Sequence, residues 1–368
     1  MADPILVSTA EQLITAYNNA DATKTIKVIG DIDFNRGQYS DWENNFFVAP
    51  STSSPSTIIL DGSWEDSQGN TKNRTISNIF IYPDKSLFYS DSSNSNINSL
   101  NCKNLTFEVI SNSGMIVNSY QKCTFENCIF NVRLYSLKYS QFYNYYTGDN
   151  RVDGLLSFKN CVFNFYITTC ISNDIALFNA QPNGPGQTVY SVIIKSCIFK
   201  IRNATNKFIT LVDSRYGSYY YLPSKIYNSA IFYNDVGTVQ PPYSKTKETG
   251  TMRKCHSITG RNNADIPNKI MNTYISSFDY YPLPAGFVKP IILAFNYYST
   301  TPHNLLIPDV ISTSFYDGSK IDAYMNDVSS NSIQPVDNYT GCLTKLTTAQ
   351  CKDPAKLSEI GYLFSEEI

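Results

Sequence analysis

Few side chains in this sequence are placed to do chemistry. Of its two histidines, His256 stands in the run Lys254-Cys255-His256-Ser257 and His303 follows Pro302. A thiol beside an imidazole is the raw material of a nucleophilic cysteine, but the base must be oriented by a third group. Adjacent residues meet only across a sharp turn, and no third group is suggested here. His303 is expected in a loop, and both imidazoles read as structural or exposed. The acids are no better arranged. A calcium-dependent lyase needs several close Asp or Glu to hold the ion and a Lys or Arg as base. A glycosidase needs two carboxyl groups about 5–10 Å apart. Asp153, Asp213 and Asp235 are the best candidates, and they are scattered. Asp153-Gly154 and Asp235-Val236-Gly237 read as turns. The sequence has no Gly-rich phosphate loop, Cys-x-x-Cys pair or His-rich tract. We therefore expect no catalytic residue, no metal and no cofactor. A sugar-cleaving site built from two protomers stays open.

Binding chemistry is better represented, by tyrosine. Tyr135, Tyr139, Tyr143, Tyr145 and Tyr146 crowd residues 134–152, and Tyr216, Tyr219, Tyr220 and Tyr221 crowd residues 202–224. Many exposed Tyr in close clusters would be unusual without a partner. They read as an aromatic surface for glycan or protein, or as insertions packed on their own coils.

The elements that must position these clusters are repeats. Asn127-Cys128-Ile129-Phe130 returns as Asn160-Cys161-Val162-Phe163 and as Ser196-Cys197-Ile198-Phe199. Weaker copies are Asn78-Ile79-Phe80-Ile81, Asn104-Leu105-Thr106-Phe107 and Ser229-Ala230-Ile231-Phe232. The second position recurs at 79, 105, 128, 161, 197 and 230, steps of 23 to 36 residues. Such a period marks a solenoid. Each unit is rich in Ile, Val, Phe and Thr without a helical period, so the stacked element is a strand. Alternation turns positions two and four inward. Position one suits a left-handed bend, where Asn is tolerated and where like residues in register can form polar ladders. Position three then faces outward, and Ile129, Val162, Ile198 and Ile231 form an apolar stripe that a neighbouring chain or the chain's own loops must cover.

The coils are preceded by a short helix. Ser8 can cap it with Glu11 three residues on, and it should cover the open end of the first coil. The run from this lid through Ile26-Lys27-Val28-Ile29-Gly30-Asp31-Ile32-Asp33-Phe34, Ile58-Ile59-Leu60-Asp61-Gly62 and Arg74-Thr75-Ile76-Ser77-Asn78-Ile79 to the Cys-Phe coils resembles the pectate-lyase-like right-handed parallel β-helix superfamily. The likeness covers roughly residues 5–235. It implies an all-β chain: a cap at 1–35, coils at 36–235, and at 236–368 a continuation with wide loops and an irregular, helical C-terminal cap. The superfamily includes lyases, hydrolases, adhesins and phage tail proteins, so the likeness carries little about function. Its hydrolase signatures, an Asn-Thr-Asp run and a Gly-His-Gly, are absent. Residues 346–362 read as a helix capped by Thr347 and Gln350, and resemble the segment that closes bacterial and phage surface β-helices.

Composition narrows the rest. Charged residues are 16% of the 368 and the net charge is −2, without a basic block, so nucleic acid is not an expected partner. Nine cysteines are present. Cys128, Cys161 and Cys197 share one inward column, which suggests reduced core thiols. The triplets at Asn73, Asn203 and Asn338 fit the glycosylation pattern and read as chance in an Asn-rich chain. The N-terminus lacks the pattern of a secretory signal, and no stretch reaches the ~20 apolar residues of a membrane span. The expectation is a structural or attachment protein of a phage virion: a tail, fibre, neck appendage or capsid-surface component. Its partners would be other virion proteins, copies of itself (as in a trimer) and host-surface polysaccharide. The rivals are a polysaccharide-degrading tailspike and a bacterial surface adhesin.

Overall fold

The computed structural model describes residues 3–20, 23–35, 46–48, 57–83, 85–89, 99–118, 122–135, 140–147, 155–169, 175–182, 191–205, 209–213, 224–235, 257–259, 269–279, 293–296, 303–308, 323–327, 332–335 and 343–346. The described residues are all-β apart from one helix, and their strands stack in parallel ladders. The motif strands form ladder A: Thr71–Ile81, Leu105–Asn112, Ile129–Tyr135, Val162–Ile167, Ile198–Asn203 and Ala230–Asp235. The strands before each Asn form ladder B, from Ile5–Val7 and Lys24–Val28 through Thr57–Asp61, Ser99–Lys103, Lys122–Glu126, Leu155–Lys159 and Ser191–Lys195 to Ser224–Tyr227. Ladder C holds Phe47–Val48, Ser86–Tyr89, Met115–Asn118, Ser140–Thr147, Ile175–Pro182, Ile209–Asp213 and Ser257–Thr259. The chain runs B, A, C and back to B, and each strand pairs with its counterpart one circuit away. Lys269–Asp279 spans both ladders A and B, pairing with Ser224–Tyr227 and Ala230–Asp235, and carries the sheet on to His303–Pro308 and Leu343–Leu346.

The inward columns explain why the sequence stacks this way. Phe107, Phe130, Phe163 and Phe199 lie one above another, with centroids 5.2, 5.1 and 4.5 Å apart and planes within 12° of parallel. Phe125 and Phe158 make a second stack at 5.1 Å, set edge-on to the first, as at Phe158–Phe163 (5.0 Å, 83°). Both ring arrangements are favoured by the aromatic quadrupole. Each fully buried ring contributes roughly 1.5–3 kcal/mol of burial. The second column is small where the first is large: Cys128, Cys161 and Cys197 are at most 1% exposed.

The bend between ladders B and A needs a left-handed residue. Asn104, Asn127, Asn160, Ser196 and Asn228 supply it, with φ between 44° and 54°. Asn127 donates to Asn104 at 3.1 Å and Asn160 donates to Asn127 at 3.2 Å, a side-chain ladder along the bend. The backbone N–H groups of Asn104, Asn127 and Asn160 donate to Glu126, Lys159 and Lys195 one rung on, at 3.0, 2.9 and 3.0 Å. One rung earlier Gly62 stands at this place without a left-handed φ, and close approach rather than conformation calls for glycine. A Cβ there would lie 2.4 Å from Leu105 and 2.5 Å from the Asn104 carbonyl oxygen.

Two outer copies of the repeat stand in a different register from that expected. Ile198 pairs with Ala230 and Phe199 with Ile231, so the last copy is Asn228-Ser229-Ala230-Ile231. Asn228 takes the left-handed bend because Asn adopts that conformation more readily than Ser. Ser229 then falls in the cysteine column, accepting from the Cys197 N–H at 3.3 Å, in place of Ala230. In the first copy Arg74 pairs with Leu105 and Ile76 with Phe107, and the register jumps before Val109 pairs with Ile79. Asn78, at φ 56°, is the bulged residue there rather than the bend. The true bend at this level carries an inserted antiparallel hairpin, Ser63–Glu65 with Thr71–Asn73.

The helix spans Ala10–Asn18. It buries Ala10, Leu13 and Tyr17, and the Tyr17 ring sits 5.0 Å from Phe47 and 5.9 Å from Phe88. Its capping box is one residue later than expected. Thr9, not Ser8, accepts from the Gln12 N–H at 3.3 Å, and Gln12 accepts from the Ser8 N–H at 2.9 Å. The C-terminal segment at 346–362 lies outside the described residues beyond Leu346.

Candidate functional site

Alternation leaves every second residue of ladder A on the outer face. Three outward columns result. The first is Thr106, Ile129, Val162 and Ile198, all half-buried. Ile231 does not belong to it. The register places Ile231 in the Phe column, fully buried, so the expected stripe is one residue shorter. The second column is Glu108, Asn131, Asn164 and Lys200, and the third is Ile110, Arg133, Tyr166 and Arg202.

Up to the rung of Asn164 and Tyr166, the second and third columns frame an open groove lined by Glu108, Ile110, Asn131, Arg133, Asn164 and Tyr166, with Asn78 at its foot; Lys200 and Arg202 lie one rung beyond that lining. Asn164 donates to Asn131 at 2.7 Å, a second amide pair parallel to the bend ladder. The Arg133 and Arg202 guanidinium carbons lie 5.6 and 5.1 Å from the Tyr166 ring centroid. A ring attracts a cation at this range, so the tyrosine holds one guanidinium from the rung below and one from the rung above. Both arginines are exposed, whereas Val132, Phe165 and Ile201, the inward neighbours on the same strands, are buried. The groove therefore rests on rigid backbone. It presents amide and guanidinium donors, amide and carboxylate acceptors, and no group poised as a nucleophile.

A second polar cluster sits at the foot of the bend ladder and is structural. Asp61 is 8% exposed. Its carboxylate accepts from Lys27 at 3.1 Å, from the Ser63 N–H at 2.9 Å and from Asn104 at 3.4 Å, and Lys103 lies at 3.4 Å. Burial pushes its pKa up. The hydrogen bonds from Ser63 and Lys27 and the Lys103 charge outweigh that, and the net shift is below the ordinary carboxylate value. Each of these partners is a donor fixed by a strand or bend, so the cluster anchors the ladder's first rung.

The residues singled out by sequence are dispersed. Tyr135 ends a ladder A strand opposite Asn112 and is half-buried. Tyr143, Tyr145 and Tyr146 fall within Ser140–Thr147, paired with Phe178, Ala180 and Gln181. Residues 134–152 are thus no simple insertion, because they carry the ladder C strand of their coil. Residues 202–224 likewise contain Ile209–Asp213. Tyr139, Tyr216, Tyr219, Tyr220 and Tyr221 lie outside the described residues, as do Asp153, Cys255 and His256. Asp213 ends a ladder C strand and Asp235 ends a ladder A strand, on different ladders. His303 begins a strand opposite Met271 rather than lying in a loop. The five described cysteines, Cys102, Cys123, Cys128, Cys161 and Cys197, are buried and form no disulfide. Burial pushes the Cys102 and Cys123 thiols up. Of the glycosylation triplets, Asn203 is buried and accepts from the Thr205 N–H and hydroxyl at 3.0 and 2.7 Å, while Asn73 donates to the Asn127 carbonyl at 2.9 Å.

Comparisons with protein-family models, with curated proteins and with solved structures found no match for the chain. Among the described residues no helix is long and apolar enough to cross a membrane, and no group of three or more His, Cys, Asp or Glu is placed to hold a metal. The groove residues escaped the sequence reading because it stopped at the Phe column. Two steps further the copies read Asn131-Val132-Arg133, Asn164-Phe165-Tyr166 and Lys200-Ile201-Arg202. The same alignment, extended, would have shown both outward columns.

Proposed function

We propose that the chain is a right-handed parallel β-helix serving as a structural and attachment component of a phage virion, and that it contacts host-surface glycan through the outer face of ladder A. The observation that carries the reading is the groove over Asn131, Asn164, Arg133 and Tyr166, with Arg202 against the Tyr166 ring at its edge. Its polar side chains are aligned by strand register on a rigid wall. Sugars present many hydroxyls at fixed spacing, and a face of alternating donors and acceptors suits them. Right-handedness is the expected sense for parallel strands joined by crossovers in one sheet. A chain wound in stacked circuits, with its core capped at the first coil, is suited to bear load along its axis. Contacts with further copies would use the half-buried stripe of Ile129, Val162 and Ile198 together with Thr106.

The test has two parts. Antibody raised against the chain should label intact particles, and the purified chain should be retained by polysaccharide stripped from the host surface. Absence of label from particles would set aside the virion assignment. Release of reducing ends or a fall in viscosity on incubation would favour the tailspike alternative.

A further inference from the structure

The chemistry of the groove narrows its ligand, and the narrowing rests on the glycan reading above. Arg133, Tyr166 and Arg202 occupy one column on successive rungs. With ~4.8 Å between rungs, the two arginines leave the backbone about 10 Å apart along the solenoid. Both guanidinium groups lie within attractive range of the ring on the rung between them, at 5.6 and 5.1 Å from its centroid. Among the described residues, the ion pairs are Lys27–Asp61, Lys72–Asp66, Lys103–Asp61 and Lys159–Glu126, and none engages either arginine. Glu108 is the one carboxylate among the residues given above for the three columns. A protein whose net charge is −2 therefore concentrates cations on this face.

We propose that the groove binds an acidic polysaccharide lying along the solenoid axis, with Arg133 and Arg202 each taking a carboxylate and the Asn131–Asn164 pair reading hydroxyls between them. A guanidinium fork matches a carboxylate with two parallel hydrogen bonds, which a lysine cannot reproduce. Two forks on alternate rungs select a polymer whose charges recur. An acidic protein segment fits less well. Protein interfaces centre on buried apolar or aromatic anchors in pockets, whereas both arginines of this face are exposed.

The experiment uses the full chain and immobilised polymers: alginate, hyaluronate, the same two after chemical reduction of their carboxyl groups, dextran, and poly-glutamate. The expected result is binding to at least one carboxylated polysaccharide, lost on carboxyl reduction and weakened about tenfold or more by Arg133→Gln and by Arg202→Gln. Arg133→Lys should restore only part of that loss. Both side chains are exposed, and an unchanged melting temperature will show that the variants fold. Equal binding to the reduced polymers or dextran would overturn the acidic ligand and leave the glycan reading standing. Binding to poly-glutamate alone would overturn it in favour of an acidic protein partner. Binding to none of the polymers would overturn both readings, as would carboxylate-dependent binding that ignores both arginine substitutions.

Discussion

The bend ladder gives the most direct test of how this sequence holds its coils. Consider Asn127→Ala. Asn127 has φ 53°, donates to Asn104 at 3.1 Å and accepts from Asn160 at 3.2 Å. Two side-chain hydrogen bonds are lost, each with a net value of roughly 0.5–1.5 kcal/mol. An alanine held in the left-handed region costs a further 1–2 kcal/mol or so. The sum is about 2–5 kcal/mol. Asn127→Gly loses the same hydrogen bonds but adopts the bend freely. Glycine's greater unfolded-state entropy returns roughly 0.5–1 kcal/mol of that relief. Glycine should therefore be the milder substitution by about 0.5–1 kcal/mol, which reverses the order found at ordinary strand and helix positions. Urea titration of both variants, read by midpoint at constant slope, measures the difference. If glycine proves as damaging as alanine or more so, the left-handed bend is not what selects Asn. If both variants match the wild type, the ladder contributes nothing.

Other predictions follow from the same geometry. Cys161→Ser should cost no more than about 1 kcal/mol, because the sulfur it replaces lies 3.4 and 3.3 Å from the Phe125 and Lys159 carbonyl oxygens and a hydroxyl can donate there; in the native protein Cys128, Cys161 and Cys197 should react with a thiol reagent only on unfolding. Ile231→Lys should lower the melting temperature far more than Ile198→Lys, because the register buries Ile231 and leaves Ile198 half-buried; equal effects would argue against that register. Ile198→Lys should also dissociate any assembly built on the stripe, seen as a change in sedimentation with the protomer still folded. Asp61→Asn should destabilise the protein at neutral pH. The folded-state carboxyl lies below its ordinary value, so its stabilisation is present above the unfolded pKa of about 3.9 and is lost as pH falls through the lower, folded one. The gap between wild type and Asp61→Asn should close below about pH 4 in acid titrations followed by circular dichroism.

How much of this was legible depended on how many neighbours constrained each position. The Cys and Phe columns were readable because two inward positions recur on every coil, and a packed interior tolerates few alternatives there. The Asn bend was readable for a different reason: one backbone conformation excludes most residue types. The register of the outer copies was lost where these two signals separated. At residues 228–231 the Ser-Ala-Ile-Phe string mimics the repeat, yet Asn228 one position earlier holds the bend and moves Ile231 inward. At residues 73–78 the inserted hairpin displaces the bend, and a bulge places a left-handed Asn inside a strand. Ladder C left no motif. Val117, Tyr143, Phe178 and Val212 are backbone partners in one register, but these residue types share neither size nor flanking residue, so that side of the coil passed for an insertion.

The same contrast bears on where binding sites arise on such a fold. The tyrosine clusters are dense in sequence, but density along the chain is not proximity across rungs. Residues that share a surface on a stacked sheet are separated by a whole circuit: Arg133, Tyr166 and Arg202 are 33 and 36 positions apart and yet touch. No local pattern announces such a trio, and no single strand contains it. It becomes visible only when coils are aligned first and outward columns are then read across them. The inward columns set that alignment through volume and backbone conformation. The outward columns are released from packing and left to vary, so an outward column that keeps two arginines around a tyrosine is informative. Register fixes the spacing, the buried strands supply stiffness, and the substitutions that test the site leave the core intact.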